Sequence, residues 1–250
     1  MQISDKDLVG KIVSEDYRTA SIFRVYNIDY CCNGSRSLKE ACQQESLDVD
    51  RLLSELNDLA GEETGTTPDF RQWDLDLIVD YIEKKHHRFV RKMLPEMEEN
   101  MKKVLKVHGS RHPELLDIAA LFLASALDLR SHMNKEEKIL FPYIRFLTGI
   151  MNIPGLTSEK NGNISAQPAF GQIKNPIRMM EEEHSQEGER FRRIASLTDK
   201  YTPPVDACTT YKVLYAQLKS FEEDLHMHIH LENNILFPRA IGKENERTRA

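Results

Sequence analysis

The chain has 250 residues, 40% hydrophobic and 30% charged, with a net charge of −6, a composition typical of soluble helical proteins. The acidic balance argues against a general electrostatic grip on nucleic acid or anionic lipid. No apolar run approaches the roughly 18 residues of a membrane span, and the charged start lacks the apolar core of a signal peptide, so a cytoplasmic protein is expected.

Residues 1–58 read as a small helical module. Leu8, Val9, Ile12 and Val13 are spaced for one helix face, and Ala20, Ile22, Phe23 and Tyr26 for a second. Asp29-Tyr30-Cys31-Cys32-Asn33-Gly34 ends in a turn signal. Ser37-Leu38-Lys39-Glu40 is a capping box that opens the next helix. A module this small has a thin core and should lean on a partner surface. The cysteines are Cys31, Cys32, Cys42 and Cys208. Adjacent cysteines suit a structural disulfide poorly, and without an export signal a reducing compartment is expected.

Positions 59–73, with Gly61, Gly65 and Pro68, read as a linker. Periodicity over 74–242 predicts four long helices, near 74–107, 113–147, 176–199 and 208–239. The Gly/Asn/Pro-rich stretch from Gly149 to Pro176 crosses over between two helical hairpins. The fold class is all-α, a four-helix bundle with a small N-terminal domain, and such bundles place metal sites between facing helices. Every candidate ligand lies after residue 86, so the bundle from Pro68 onward is expected to fold and hold metal alone.

One phrase occurs twice. His132-x3-Glu136-x2-Ile139-Leu140-Phe141-Pro142 returns as His228-x3-Glu232-x2-Ile235-Leu236-Phe237-Pro238, offset by 96 (228 − 132). A His and a Glu four residues apart share a helix face. Another histidine precedes each copy: His87 by 45 residues (132 − 87) and His184 by 44 (228 − 184). A single such pair is ordinarily a surface ion pair, but duplication in register supplies four imidazoles and two carboxylates, enough for two metal ions.

Helical faces sort the remaining histidines. Leu225, His228, Ile229, Glu232, Ile235 and Leu236 form one stripe, which turns His226 and His230 toward solvent. Phe122, Ser125, Leu129, His132, Glu136 and Ile139 trace the matching stripe, and Ile177, Met180, His184, Phe191 and Ile194 a third. In the first helix both His86 and His87 have apolar neighbours on their own side; the spacing leans to His87 without settling it. Imidazole with carboxylate and no thiolate suits Fe or Mn, with Zn and Cu as alternatives. Two ferric ions bring +6, and two glutamates with a bridging oxide bring −4. The remaining +2 calls for nearby acids, which Asp128 and Glu183 are placed to supply.

Asp29-Tyr30-Cys31-Cys32 ahead of this bundle resembles the iron–sulfur cluster repair di-iron proteins, the repair-of-iron-centres family, two-domain relatives of hemerythrin. The resemblance runs over nearly the whole chain and includes Leu94-Pro95-Glu96, Lys135-Glu136-Glu137, Glu183-His184, Ala207-Cys208-Thr209-Thr210 and Leu231-Glu232-Asn233-Asn234. It implies a hemerythrin-like bundle with His87, His132, Glu136, His184, His228 and Glu232 as ligands of two non-heme iron ions, oxo-bridged when ferric. It also selects His87 over His86. It further implies recovery of iron–sulfur proteins after nitric oxide or oxidant stress, by iron donation or nitric oxide chemistry. Damaged iron–sulfur proteins or cluster-assembly components would be the partners. The family's acid one turn before the second-helix histidine is a glutamate, whereas this chain has the shorter Asp128. Cys31 and Cys32 belong to the family signature and are candidate redox thiols, acting on a partner or across a homodimer, with nearby Arg24 and Arg36 favouring thiolates. Two other classes compete: an enzyme that reduces nitric oxide or peroxide, and a hemerythrin-type sensor of nitric oxide or oxygen.

Overall fold

The computed structural model describes residues 2–61, 68–154, 156 and 168–248. Among these residues no strand forms, only the isolated bridges Leu8–Ser37 and Ile153–Leu156, and no helix is long and apolar enough to cross a membrane. The module contains α1 (Val9–Glu15), α2 (Thr19–Val25), α3 (Leu38–Gln44) and α4 (Val49–Gly61). Ser37 and Glu40 form the reciprocal capping box at α3. Of the stretch read as a linker, 62–67 lies outside the described residues.

Four rods build the bundle. The first joins α5 (Leu75–Tyr81) to α6 (Arg88–His108), and the second α7 (Glu114–Lys135) to α8 (Phe141–Leu147). The third is α9 (Lys174–Leu197); the fourth joins α10 (Thr209–Leu231) to α11 (Phe237–Thr248). Within the joined rods the helix widens into π turns at Ile82–His87, Glu136–Leu140 and Glu232–Leu236. Phe141 and Phe237 donate their N–H to Glu136 and Glu232, five residues back. Pro142 and Pro238 follow at once; proline has no N–H for the ordinary bond and clashes with the carbonyl four back, so a wide turn before it lets the rod continue. This is why the fourth rod reaches Thr248 rather than stopping near 239. Ile139, expected inward, is exposed with Leu140 and Phe141 buried beside it, whereas its counterpart Ile235 in the second copy is buried.

Apolar packing forms two clusters. One, with Val90, Leu94, Phe122, Phe191, Phe221 and Leu225, merges with the module's Val9, Ile12, Phe23 and Tyr30. The other joins Ile78, Ile82, Phe141, Ile144, Ile177 and Phe237. Between them, along each rod, lies a polar layer. The surface on which the module leans is therefore the bundle itself.

Candidate metal centre

The polar layer contains His87, His132, Glu136, His184, His228 and Glu232, all buried. Glu136 Oε2 lies 3.2 Å from His87 Nε2, and its Oε1 lies 3.3 Å from His132 Nε2. Glu232 repeats the pattern: Oε2 is 3.1 Å from His184 Nε2 and Oε1 3.2 Å from His228 Nε2. Each carboxylate thus spans two imidazoles, one per oxygen. The six residues fall into two sets that share both glutamates: His87 with His228, and His132 with His184.

Ring orientation is fixed from behind. His87 Nδ1–H donates to Glu137 Oε1 at 2.7 Å, His132 Nδ1–H to Glu183 Oε2 at 2.8 Å, and His184 Nδ1–H to Asn233 Oδ1 at 2.8 Å. Each bond holds the proton on Nδ1 and aims a bare Nε2 at the centre. Glu137 is anchored in turn by Arg91, and Glu183 by Lys135. His132 Nε2 and His184 Nε2 stand 3.1 Å apart, close enough to share a proton or to ligate one ion. His87 Nε2, both Glu136 oxygens and Glu232 Oε2 are buried without a hydrogen-bond partner, which proteins rarely tolerate. A metal pair would satisfy every one of these atoms, and spacings of 3.1–3.3 Å match octahedral edges for bonds of about 2.2 Å.

The electrostatics agree with this donor set. Burial disfavours a charged His132, but Glu136 and Glu183 outweigh it and lift its pKa to about 10. Burial raises Glu232, yet His228 and His184 hold it well below the usual carboxylate value. The His132 bond holds Glu183 down to about 2. Two inward carboxylates therefore demand positive charge at their centre.

Some expectations need correction. His226 and His230 do not face solvent: His230 is 2% exposed and His226 is half-buried. Their rings lie 6.0 and 5.9 Å from that of Tyr30, because the module covers this face of α10. Asp128 does not touch His132; it pairs with Arg190, since its short side chain leaves the buttressing of His132 to Glu183. Of the two candidate redox thiols, Cys31 is buried and only Cys32 is half-exposed. A Cys32 hydrogen bond, burial and the Asp29 carboxylate push the Cys31 thiol well above its ordinary value. Arg24 pairs instead with Glu223, and Arg36 with backbone oxygens of Asn33 and Asp29. His86 is buried and donates from Nδ1 to Asp224 at 3.0 Å.

Sequence reasoning passed over Glu137 and Asn233. They occupy matching positions in the two copies (233 − 137 = 96), each directly after the inward glutamate, where the wide turn brings the next residue round to the neighbouring histidine. The sequence assigns no role to Glu187, one turn from His184 on the same stripe; it is buried against Ser125 and Arg190, and burial raises its pKa. A cavity of about 180 Å³ reaches this side of the layer, lined by Asp128, His132, Glu183, His184, Glu187 and Arg190 among others.

Residues 78–240 match the Hemerythrin HHE cation binding domain, and residues 5–60 match the ScdA_N domain, a domain of unknown function (DUF542). The iron-sulfur cluster repair protein YtfE of Enterobacter sp. (strain 638) is 37% identical over 98% of this chain and 100% of its own. That of Dickeya chrysanthemi (strain Ech1591) is 35% identical with the same coverage. That of Escherichia coli O81 (strain ED1a) is 36% identical over 94% of this chain and 97% of its own.

Proposed function

The chain belongs to the iron–sulfur cluster repair proteins within the hemerythrin HHE family, and we propose that its polar layer holds two non-heme iron ions, oxide-bridged when ferric, that serve to rebuild clusters damaged by nitric oxide or oxidants. His87 and His228 would hold one iron, His132 and His184 the other, with Glu136 and Glu232 joining both. When bound, the pair supplies labile iron and a redox couple. The protein's own groups set how labile it is. Four imidazoles and two carboxylates leave coordination positions unfilled, and both His132 and His184, but only His228 of the other half, border the cavity, through which a small ion or a diatomic gas would pass.

The single observation that carries this reading is the pair of buried carboxylates, each laid across two imidazoles. It supports iron donation best, because one half-site is open. Nitric oxide chemistry at the same half is the second reading, favoured by the cavity. Damaged iron–sulfur proteins would be the partners, in the cytoplasm. Purified protein should carry close to two irons and a ferric oxo absorption in the near-ultraviolet. His132→Ala and Glu232→Ala should each lose at least one iron, whereas His230→Ala should lose none; metal loss in the last as complete as in His228→Ala would defeat the ligand assignment. Mixing the reduced protein with nitric oxide separates the two readings: catalytic N2O favours nitric oxide reduction, and a nitrosyl with iron loss favours donation.

A further inference from the structure

Asp29, Cys31 and Cys32 form a compact donor set outside the polar layer. Asp29 Oδ1 accepts the backbone N–H of Cys31 at 3.1 Å and of Cys32 at 2.9 Å, a tight turn that brings both thiols to one side. The two Sγ atoms lie 3.8 Å apart, and Cys31 Sγ lies 3.4 Å from Asp29 Oδ1. A tetrahedral ion with metal–sulfur bonds of about 2.3 Å and a metal–oxygen bond of about 2.0 Å has edges of about 3.8 and 3.5 Å. Two of the three edges therefore already match such a site, and all three ligand atoms lie within 4.8 Å of one another. Arg192 lies 3.5 Å from Asp29 Oδ2, offsetting the negative charge that two thiolates and a carboxylate would bring.

This set sits against the back of the polar layer. Cys32 Sγ contacts the His184 carbonyl oxygen at 3.3 Å, and Asn233, which orients the His184 ring, donates to the Cys31 carbonyl at 3.1 Å. The room for Cys32 comes from Gly188 inside α9: a Cβ there would lie 3.3 Å from the sulfur, and glycine in a helix costs about 1 kcal/mol.

We propose that Asp29, Cys31 and Cys32 form a third metal site, which takes a single ferrous ion in transit between the dinuclear layer and the outside. The transit role rests on the iron-centred reading above. The step is ligand exchange with no change of oxidation state: Fe(II) leaves His132, His184 and the Glu136 and Glu232 oxygens, which stay with the other iron, binds two sulfurs and a carboxylate oxygen, and two thiol protons go to solvent. Thiolates favour a tetrahedral borderline ion over the oxide-bridged ferric pair.

The test adds Co(II) without oxygen to the full-length, iron-loaded protein. One equivalent should give thiolate-to-cobalt charge transfer and the intense visible bands of tetrahedral cobalt. Cys31→Ser/Cys32→Ser should abolish the charge transfer at unchanged iron content and helicity. Cys42→Ser and Cys208→Ser should leave it intact. Because Cys31 is buried, the half-exposed Cys32→Ser alone serves as the milder variant and should weaken both cobalt binding and the band. Bands without thiolate character, or bands that survive the double substitution, overturn the site. In the same samples, release of ferrous iron to a chelator should slow several-fold in the double variant, and release at the wild-type rate overturns the transit role. Failure of the iron-centred reading shows separately, as a wild-type chain without iron in the bundle.

Discussion

The two halves of the polar layer come from one repeated design and have diverged in what surrounds them. His87 stacks on Phe141 and His184 on Phe237, matching residues of the two copies. Behind the other pair the match breaks. Glu183, preceding His184, accepts a hydrogen bond from His132, but the residue preceding His87 is His86, which lies flat on His228 at 5.5 Å and turns its own Nδ1 to Asp224. His228 Nδ1 is left buried without a partner. Glu187, hydrogen-bonded to Ser125, lines a cavity that borders His132 and His184 and, of the other half, His228 but not His87; at the places of Glu187 and Ser125 the first unit and its partner rod have Val90 and Phe221, both buried in the apolar cluster. Repetition conserves the ligand set; divergence at the flanking positions decides which half is open.

The sharpest way to break this comparison is to time iron loss. With a hydrophilic ferrous chelator, the reduced protein should release its iron in two phases of equal amplitude. The faster should exceed the slower by about tenfold or more, a difference of about 1.4 kcal/mol in barrier. His132→Gln should remove the fast phase and His87→Gln the slow one. A single phase for both irons would mean that the cavity does not distinguish the halves.

The residues behind the rings give the next effect. Glu137→Ala and Asn233→Ala each free an imidazole that the structure holds by Nδ1, and loss of such a support lowers metal affinity by about 10- to 100-fold. Asn233→Ala should act on the open half and Glu137→Ala on the closed one. Affinities unchanged in both would show that packing against Phe141 and Phe237 orients the rings unaided.

How much of this the sequence disclosed follows from the range of each signal. The six inward residues were legible because their helical spacing is local and was written twice. His86 and His87 could not be separated by periodicity because both are buried, with both rings against that of His228. His226 and His230 were misplaced because helical periodicity sees only the bundle, and the surface that buries them belongs to the module. Ile139 was misplaced because the repeat suggested one environment for both copies, and its counterpart Ile235 is indeed buried while Ile139 is exposed. Asp128 failed on reach: it occupies the expected place but its side chain turns to Arg190.

The docking of module on bundle can be tested by steric means. Asn234 reaches into the module, donating to the Tyr30 carbonyl at 3.0 Å. A Cβ on Gly10 of the module would run into the Asn234 side chain of the bundle, 2.8 Å from its Cγ. Asn234 is held in place by Tyr30 and His230, so Gly10→Ala should destabilise the full chain by about 1–3 kcal/mol, read as a lower urea midpoint. Unchanged stability would mean that the module does not sit this close in solution.

The same interface should leave a mark on pH dependence. Burial under the module lowers His230 from 6.5 to about 3 and His226 from 6.5 to about 4, so both are neutral in the fold. Above pH 6.5 they are neutral in the unfolded chain as well, and nothing is lost. Below it the unfolded chain binds protons that the folded chain refuses, so stability falls as pH drops toward the folded pKa. Between about pH 7.5 and about pH 5.5, His230 alone should remove about 1.4 kcal/mol. Ligand protonation and metal loss act over the same range, so the readout is a double difference: the fall in unfolding free energy of wild type minus that of His230→Gln. Wild type should lose about 1.4 kcal/mol more than the variant. Equal losses would mean that His230 takes up a proton without leaving its place beside Tyr30, and that the module covers it only loosely.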